Sequence, residues 1–351
     1  MPASCLAADT WLTPLFKTST HTYTWLDLAL AAMIRGDWSH VDQRVMRGAA
    51  LAARAAQQNE WPDGSAVDAA ATAFRYERDL LTIDETEAWL ADTGLTMELW
   101  TDLLIRGLLR ATDDGAALAP VAVATDDALV RAEGICSGLF LQFTEQLAAR
   151  AALADALEEP VESDVVQEIV DTVHRTWPAW LEGIAPDRLG PRLQRLATVD
   201  AGFRAVAARM ADDEAMAARV DRSRLEWMRV DLERLSFETA DAAAEAALCV
   251  REDGMTLSDV AMEAGQPIED VRAVLEDLEE PLREVVLSAG IDTLVGPVDI
   301  AGRPTVAMVI SKTPPSLDDA LVRRRAERAI VESLGQKAIF SHVTWLQRPA
   351  H

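Results

Sequence analysis

Apolar positions along this chain recur mostly with the period of an α-helix. Trp25, Leu28, Ala29, Ala32 and Met33 follow the i, i+3, i+4, i+7, i+8 pattern of one buried helix face, and Gly36-Asp37 breaks it. A second helix is expected from about Ser39 to Gln58, with Val41, Val45, Ala49 and Ala52 on one side, before a Trp61-Pro62-Asp63-Gly64-Ser65 turn. Three more follow. The first is Val67 to Arg78. The second opens at Thr82 with Glu85 three residues on, a capping-box spacing, and closes at Gly94. The third is Thr96 to Leu109, with Leu99, Leu103 and Leu104 on its apolar side. Residues 1–22 lack such a period and are expected to be loosely ordered. Residues 111–127 read as a linker.

Beyond the linker, helices are expected over Ala128 to Leu157, interrupted near Gly134 and Gly138, over Glu162 to Trp180, and from Ala201 to Arg219, with Pro178, Pro186 and Pro191 as punctuation between the last two. The period then changes. Trp227 to Leu235 alternates, which predicts a strand with one buried face. Thr239 caps a helix through Cys249, and a short helix runs from Thr256 to Gly265. Asp270 to Leu275 is a short strand. Glu279 to Ser288 is a helix closed by Ala289-Gly290. Leu294 to Ile300 and Thr305 to Ser311 form a hairpin through Ala301-Gly302-Arg303, and a last helix covers Leu317 to about His342.

Charge and composition narrow the function. The 351 residues carry 33 basic and 58 acidic side chains, a net charge of -25. That balance argues against sequence-independent nucleic-acid binding and against anionic membrane surfaces, and favours a basic partner or simple solubility. Cys5, Cys136 and Cys249 are too few and too scattered for a disulfide framework, and no C-x-x-C pair exists. With no secretory pattern at the N-terminus, the expected address is the cytoplasm.

The strand, helices, short strand, helix and hairpin over residues 224–312 resemble the parvulin order. Leu282 to Gly290, Leu294-Val295-Gly296-Pro297-Val298 and Thr305 to Lys312 are similar to the parvulin signature of an apolar helix, a glycine, a hydrophobic-x-GPV strand and a closing strand. Residues 66–110 resemble the helical module of SurA-type chaperones, and Lys312-Thr313-Pro314-Pro315-Ser316-Leu317-Asp318-Asp319 resembles PpiC-related proteins of peptide maturation systems. The resemblance covers roughly half of the chain. It implies an α+β, predominantly α-helical protein with a SurA-like helical module and a degenerate parvulin-like βαααβαββ domain. The expected divisions are 1–118, 119–222, 223–313 and a C-terminal helix, 314–351, packing back on the helical module.

Active parvulins carry a histidine in the first strand and another in the last. Val230 and Val306 stand at those places, and Arg175 to Ser341 contains no histidine. The resemblance therefore implies peptide binding without prolyl isomerase activity, through a groove of Trp227, Val230, Leu282, Leu287, Val306 and Met308, with no cofactor and no metal. The expected partner is a peptide or unfolded segment, such as a precursor undergoing maturation, together with a peptide-modifying enzyme. Two other classes stay open: a peptide-modifying enzyme with its site in the helical region, and a structural subunit of a maturase complex.

Other reactive residues have plainer roles. His21 and His40, near Asp27, Asp37 and Asp42, have the composition of a two-histidine, one-carboxylate metal site, but helix-end roles are the commoner use. His174 beside Trp177 and Trp180 reads as an amphipathic face, and His342 and His351 lie near the end. Cys136, between Gly134 and Gly138, lacks a base, and Cys249 reads as a small apolar residue. Glu158-Glu159, Glu276-Asp277 and Glu279-Glu280 read as solvated helix ends. Arg323, Arg324, Arg325 and Arg328 form a basic stripe that either pairs with the acidic N-terminal module or holds a peptide carboxylate.

Overall fold

The computed structural model describes residues 11–113, 115, 127–157, 161–175, 181 and 186–347. Cys5, most of the 111–127 linker, Glu158-Glu159, Trp177, Pro178, Trp180 and His351 lie outside the described residues. The chain is α+β and predominantly helical, and it divides into two compact units, residues 1–209 with 333–351 and residues 210–332.

The first unit is built on helix α1 (Trp25–Arg35), whose residues Trp25 to Met33 are all buried. Thr24 and Asp27 close its N-terminus as a capping box and Gly36 its C-terminus in a left-handed conformation. The other helices of the unit are α2 (Trp38–Gln58), α3 (Gly64–Tyr76), α4 (Ile83–Thr93), α5 (Met97–Ala111), α6 (Asp127–Cys136), α7 (Leu139–Leu157), α8 (Ser163–Arg175) and α9 (Pro186–Met210), of which α2, α7 and α8 pack directly on α1. Thr82 and Glu85 form the expected capping box, and Gly94 the left-handed cap. One continuous core runs from Trp11 to Ala201, so the division expected at residue 118 does not separate two cores. Pro186 and Pro191 do not end a helix. They sit in the first turns of α9, where a missing N–H costs least at the very start.

Residues 11–24 are ordered, contrary to the expectation of a loose N-terminal segment. Strand β1 (Pro14–Lys17) lies between β2 (Thr22–Thr24) and β7 (Thr344–Trp345) in a three-stranded sheet. Phe16 stacks on Tyr23 at 4.8 Å and meets Trp345 edge-on at 5.6 Å. Strands this short carry too few residues for a period to register, and one partner lies at the far end of the sequence.

The second unit holds a four-stranded antiparallel sheet in the order β4-β3-β6-β5, formed by β3 (Arg229–Ser236), β4 (Glu269–Val274), β5 (Thr293–Ile300) and β6 (Arg303–Thr313). After the short helix α10 (Asp213–Arg222) the chain runs β3, α11 (Ala240–Arg251), α12 (Leu257–Ala264), β4, a 3₁₀ turn (Leu275–Asp277), α13 (Glu280–Ser288), β5 and β6. Two α-helices separate β3 from β4, where three were expected, because Gly265 ends α12 and Gln266 leads into the strand. Helix α14 (Ala320–His342) follows.

The sheet is covered on both faces. Leu235, Leu294 and Val306 pack with Ala243, Ala247, Leu257 and Val260 of α11 and α12. Val230, Leu232, Ala307 and Val309 pack with Leu275, Leu282 and Val286 on the α13 side. Consecutive residues of β6 alternate between these cores, as the period of two requires. Pro297 sits on edge strand β5, inside an irregularity between Val295 and Val298, so no ladder donor is lost.

The end of α13 differs from the expected glycine cap. Ala289 is extended, and Lys312 of β6 closes the helix: its Nζ donates to the carbonyls of Val286 and Ala289 at 2.5 Å and of Leu287 at 3.3 Å. An ammonium at a helix C-terminus also opposes the helix dipole favourably. Burial pulls its pKa below the ordinary lysine value.

Candidate functional site

The six residues expected to form one groove do not converge. Trp227, Val230, Leu282 and Val306 are 2%, 0%, 0% and 0% exposed. Val230 and Leu282 belong to the core under α13, and Val306 to the core under α11 and α12, with Met308 packed against it. Trp227 fills a third cluster with Met216, Val220, Val274, Val322 and Ala326, and its indole N–H donates to Glu276 Oε2 at 3.0 Å. Leu287, 48% exposed, stands on the surface of α13. Strand parity explains the split: residues on opposite faces of one sheet cannot line a common groove.

An open concave surface of this unit lies between α11 and α12. A cavity of about 450 Å³ is bounded by Phe237, Ala242, Ala246, Cys249, Val260 and Ala264, with Glu238, Glu245, Glu263, Thr239 and Gln266 around them. Its origin is local. Ala242, Ala246 and Cys249 recur at i, i+4 and i+7 on α11, and Val260 and Ala264 at i, i+4 on α12, so small side chains face one another where larger ones would close the gap. Thr239 fixes the start of α11 by accepting from the Ala242 N–H at 3.3 Å, which sets Glu238 just ahead of the helix. The volume lies in the range of ligand-sized clefts.

Glu238, Glu245 and Glu263 are exposed, and none has an ion pair or side-chain hydrogen bond among the described residues. The arrangement offers apolar contact area below and uncompensated negative charge above. A ligand with basic groups flanking small apolar ones matches it in both respects. The signal for this cleft was present in the alanine spacing of α11. Nothing in the spacing showed that α12 would present small residues opposite.

The remaining candidates have structural partners. Asp27 is fully buried and joins Arg192 and Arg195 at 2.8 and 2.7 Å. The His21 ring nitrogen meets Thr20 Oγ1 at 2.7 Å, and that of His40 meets the Asp37 carbonyl at 3.1 Å. Burial pushes the Cys136 thiol up to about 12, so the thiolate needed for nucleophilic attack is absent near neutrality. Two arginines of the α14 stripe have carboxylate partners within the second unit: Arg323 joins Asp213 at 2.7 Å, and Arg325 joins Glu276 and Asp277, the latter at 2.6 Å. No described helix is long and apolar enough to cross a membrane.

No protein-family model matches the chain, and no curated protein sequence matches it. Among solved structures it is similar to a peptidylprolyl isomerase, PrsA from Bacillus anthracis, at 10% identity and a TM-score of 0.30, over 56% of this chain and 94% of that one. It is similar to the foldase protein PrsA from Streptococcus pneumoniae at 12% identity and a TM-score of 0.28, over 63% and 92%. A SurA-like chaperone of Campylobacter jejuni is similar at 8% identity and a TM-score of 0.20, over 65% and 96%.

Proposed function

We propose that this protein is a chaperone-like peptide-binding protein that holds a basic, partly apolar stretch of a peptide or unfolded polypeptide in the cleft between α11 and α12. The observation that carries the reading is the pairing of an open apolar floor with three unpartnered glutamates. An extended peptide would lay small apolar side chains on Ala242, Ala246 and Val260 and place Lys or Arg beside the carboxylates.

The same proposal holds that the protein does not isomerise prolines. The side chains of Val230 and Val306 carry no atom that donates or accepts a hydrogen bond, and both are buried. We further propose that the bound segment is a precursor peptide under maturation in the cytoplasm, on the resemblance of Lys312 to Asp319 to PpiC-related proteins and on the sparse cysteines.

Short labelled peptides rich in Lys and Leu, titrated by fluorescence anisotropy beside counterparts with Glu in place of Lys, test the site. The basic peptides are expected to bind and the acidic ones to fail. A Glu245→Lys, Glu263→Lys double substitution is expected to weaken the basic peptide roughly tenfold, from reversal of two exposed charges. Equal affinity for both peptides, or indifference to the double substitution, would sink the assignment. A prolyl isomerase assay on a proline-containing version is expected to show no acceleration.

A further inference from the structure

The first unit contains a cavity with the opposite electrostatic character. It measures about 220 Å³ and lies among α2, α3, α5 and α6. Phe74, Trp100 and Leu103 supply apolar wall, with Phe74 and Trp100 edge-to-face at 5.6 Å. Arg44, Arg110 and Glu133 supply charge. The volume is below that of a drug-sized pocket and fits a single apolar group of side-chain size.

Glu133, 2% exposed, takes a forked pair of bonds from Arg110: the Arg110 Nη2 donates to Oε1 at 3.0 Å and its Nη1 to Oε2 at 3.3 Å. Gly48 makes this approach possible, since a Cβ there would stand 2.7 Å from Arg110 Nη1. Arg44 adds only its Nε, at 2.7 Å from Glu133 Oε1. Its Nη1 and Nη2 have no partner among the described residues, and its side chain is 42% exposed. Two cations against one anion leave one positive charge uncompensated on the cavity wall, in a chain whose net charge is -25.

We propose that this cavity binds an apolar group bearing one carboxylate, with the free Nη1 and Nη2 of Arg44 taking the carboxylate and the hydrocarbon seated against Phe74, Trp100 and Leu103. A guanidinium with two adjacent free donors suits the two oxygens of a carboxylate. The same chemistry is offered by the C-terminus of a peptide ending in an apolar residue and by a free aryl or branched acid. This site is separate from the acid-rimmed cleft and does not depend on it.

Calorimetric titration of the full chain with 3-phenylpropionate and with 3-phenylpropanamide tests the proposal. The acid is expected to bind roughly tenfold or more tighter than the amide, the contrast between a charged and a neutral hydrogen-bond partner. Arg44→Gln is expected to remove that preference, so that acid and amide bind within about twofold of each other. Gly107 lines the cavity, and a Cβ there meets nothing within 4 Å, so Gly107→Leu is expected to fill the space, abolish binding and leave the helix at least as stable. Thermal melts confirm that both variants fold. N-acetyl-Ala-Phe with a free carboxylate, bound more tightly than 3-phenylpropionate, identifies a peptide C-terminus as the source, and weaker binding identifies free acids. Equal affinity for acid and amide, absence of binding at millimolar concentration, or undiminished acid binding in Gly107→Leu overturns the proposal.

Discussion

Asp27 Oδ1 accepts from Arg195 Nη2 at 2.7 Å, across 168 residues of sequence, at the N-terminus of the helix on which the first unit is built. The other carboxylate oxygen takes Arg192 at 2.8 Å and the Thr24 N–H at 2.9 Å. Asp27 thus caps α1 and ties it to α9 with a carboxylate that has no access to solvent. Asp27→Ala leaves two arginines without their anion and removes half of a capping box. It is expected to destabilise the first unit by about 3 kcal/mol or more. Urea denaturation followed by circular dichroism measures the loss, and an unchanged midpoint would show that the triad contributes nothing net.

Gly296 is expected to tolerate no side chain. Its φ is +92°, and a Cβ would lie 2.7 Å from the Thr305 carbonyl and 3.1 Å from the Val298 nitrogen, both backbone atoms of the hairpin. Backbone cannot swing aside as a side chain can. Gly296→Ala should therefore cost about 1–3 kcal/mol and speed hydrogen exchange in β5 and β6 while leaving α1 to α8 protected. Exchange mass spectrometry separates that result from a uniform loss of protection, which would point to a different cause.

Lys312→Met removes three donations to the carbonyls that end α13 while keeping most of the hydrocarbon stem. The expected result is fraying of that helix end, worth about 1 kcal/mol, and faster amide exchange over residues 285–291. Wild-type exchange in this segment would mean that water replaces the ammonium at no cost.

The two described thiols should react in opposite ways. Both are half-buried, but Cys249 lines the open cleft, whereas desolvation holds the Cys136 thiol in its neutral form. Alkylation near pH 8, mapped by mass spectrometry, is expected to modify Cys249 first and Cys136 only on unfolding. Saturating basic peptide should protect Cys249. Modification of Cys249 at one rate with and without bound peptide would separate the peptide from the cleft.

The pH dependence of Cys136 has a definite sign. Its pKa is raised from 9.0 unfolded to about 12 folded. Its contribution to stability is complete below pH 9 and declines as pH rises from there towards 12, because only the unfolded thiol ionises in that window. Melts of Cys136→Ala against wild type should converge as pH climbs through that range; a constant difference would assign the stabilisation to packing alone.

Salt distinguishes the proposed cleft from a purely apolar one. Peptide affinity should fall as ionic strength rises, since Glu238, Glu245 and Glu263 are exposed and screened within a Debye length of about 8 Å at physiological salt. Salt-independent affinity, read from the same anisotropy titration, would remove the carboxylates from the account.

The helices and their ends were legible from the amino-acid sequence because they depend on neighbours within a few residues. Thr82 with Glu85, Thr239 ahead of Ala242 and Thr256 with Asp259 act at fixed short spacing, and the alternation in β3 marks a strand by itself. Sequence alone also determined the negative charge and the loss of histidine from residues 176–340. Tertiary structure decided everything that joins distant segments. It paired β1 with β7, gave the end of α13 to Lys312 instead of Gly290, sent two arginines of α14 to Asp213, Glu276 and Asp277, and split six apolar residues among three cores and the surface. It also formed both cavities. A gap between α11 and α12, or a spare guanidinium beside Glu133, exists only once helices far apart in sequence meet, because what a side chain leaves unfilled depends on its opposite partner rather than on its neighbours along the chain.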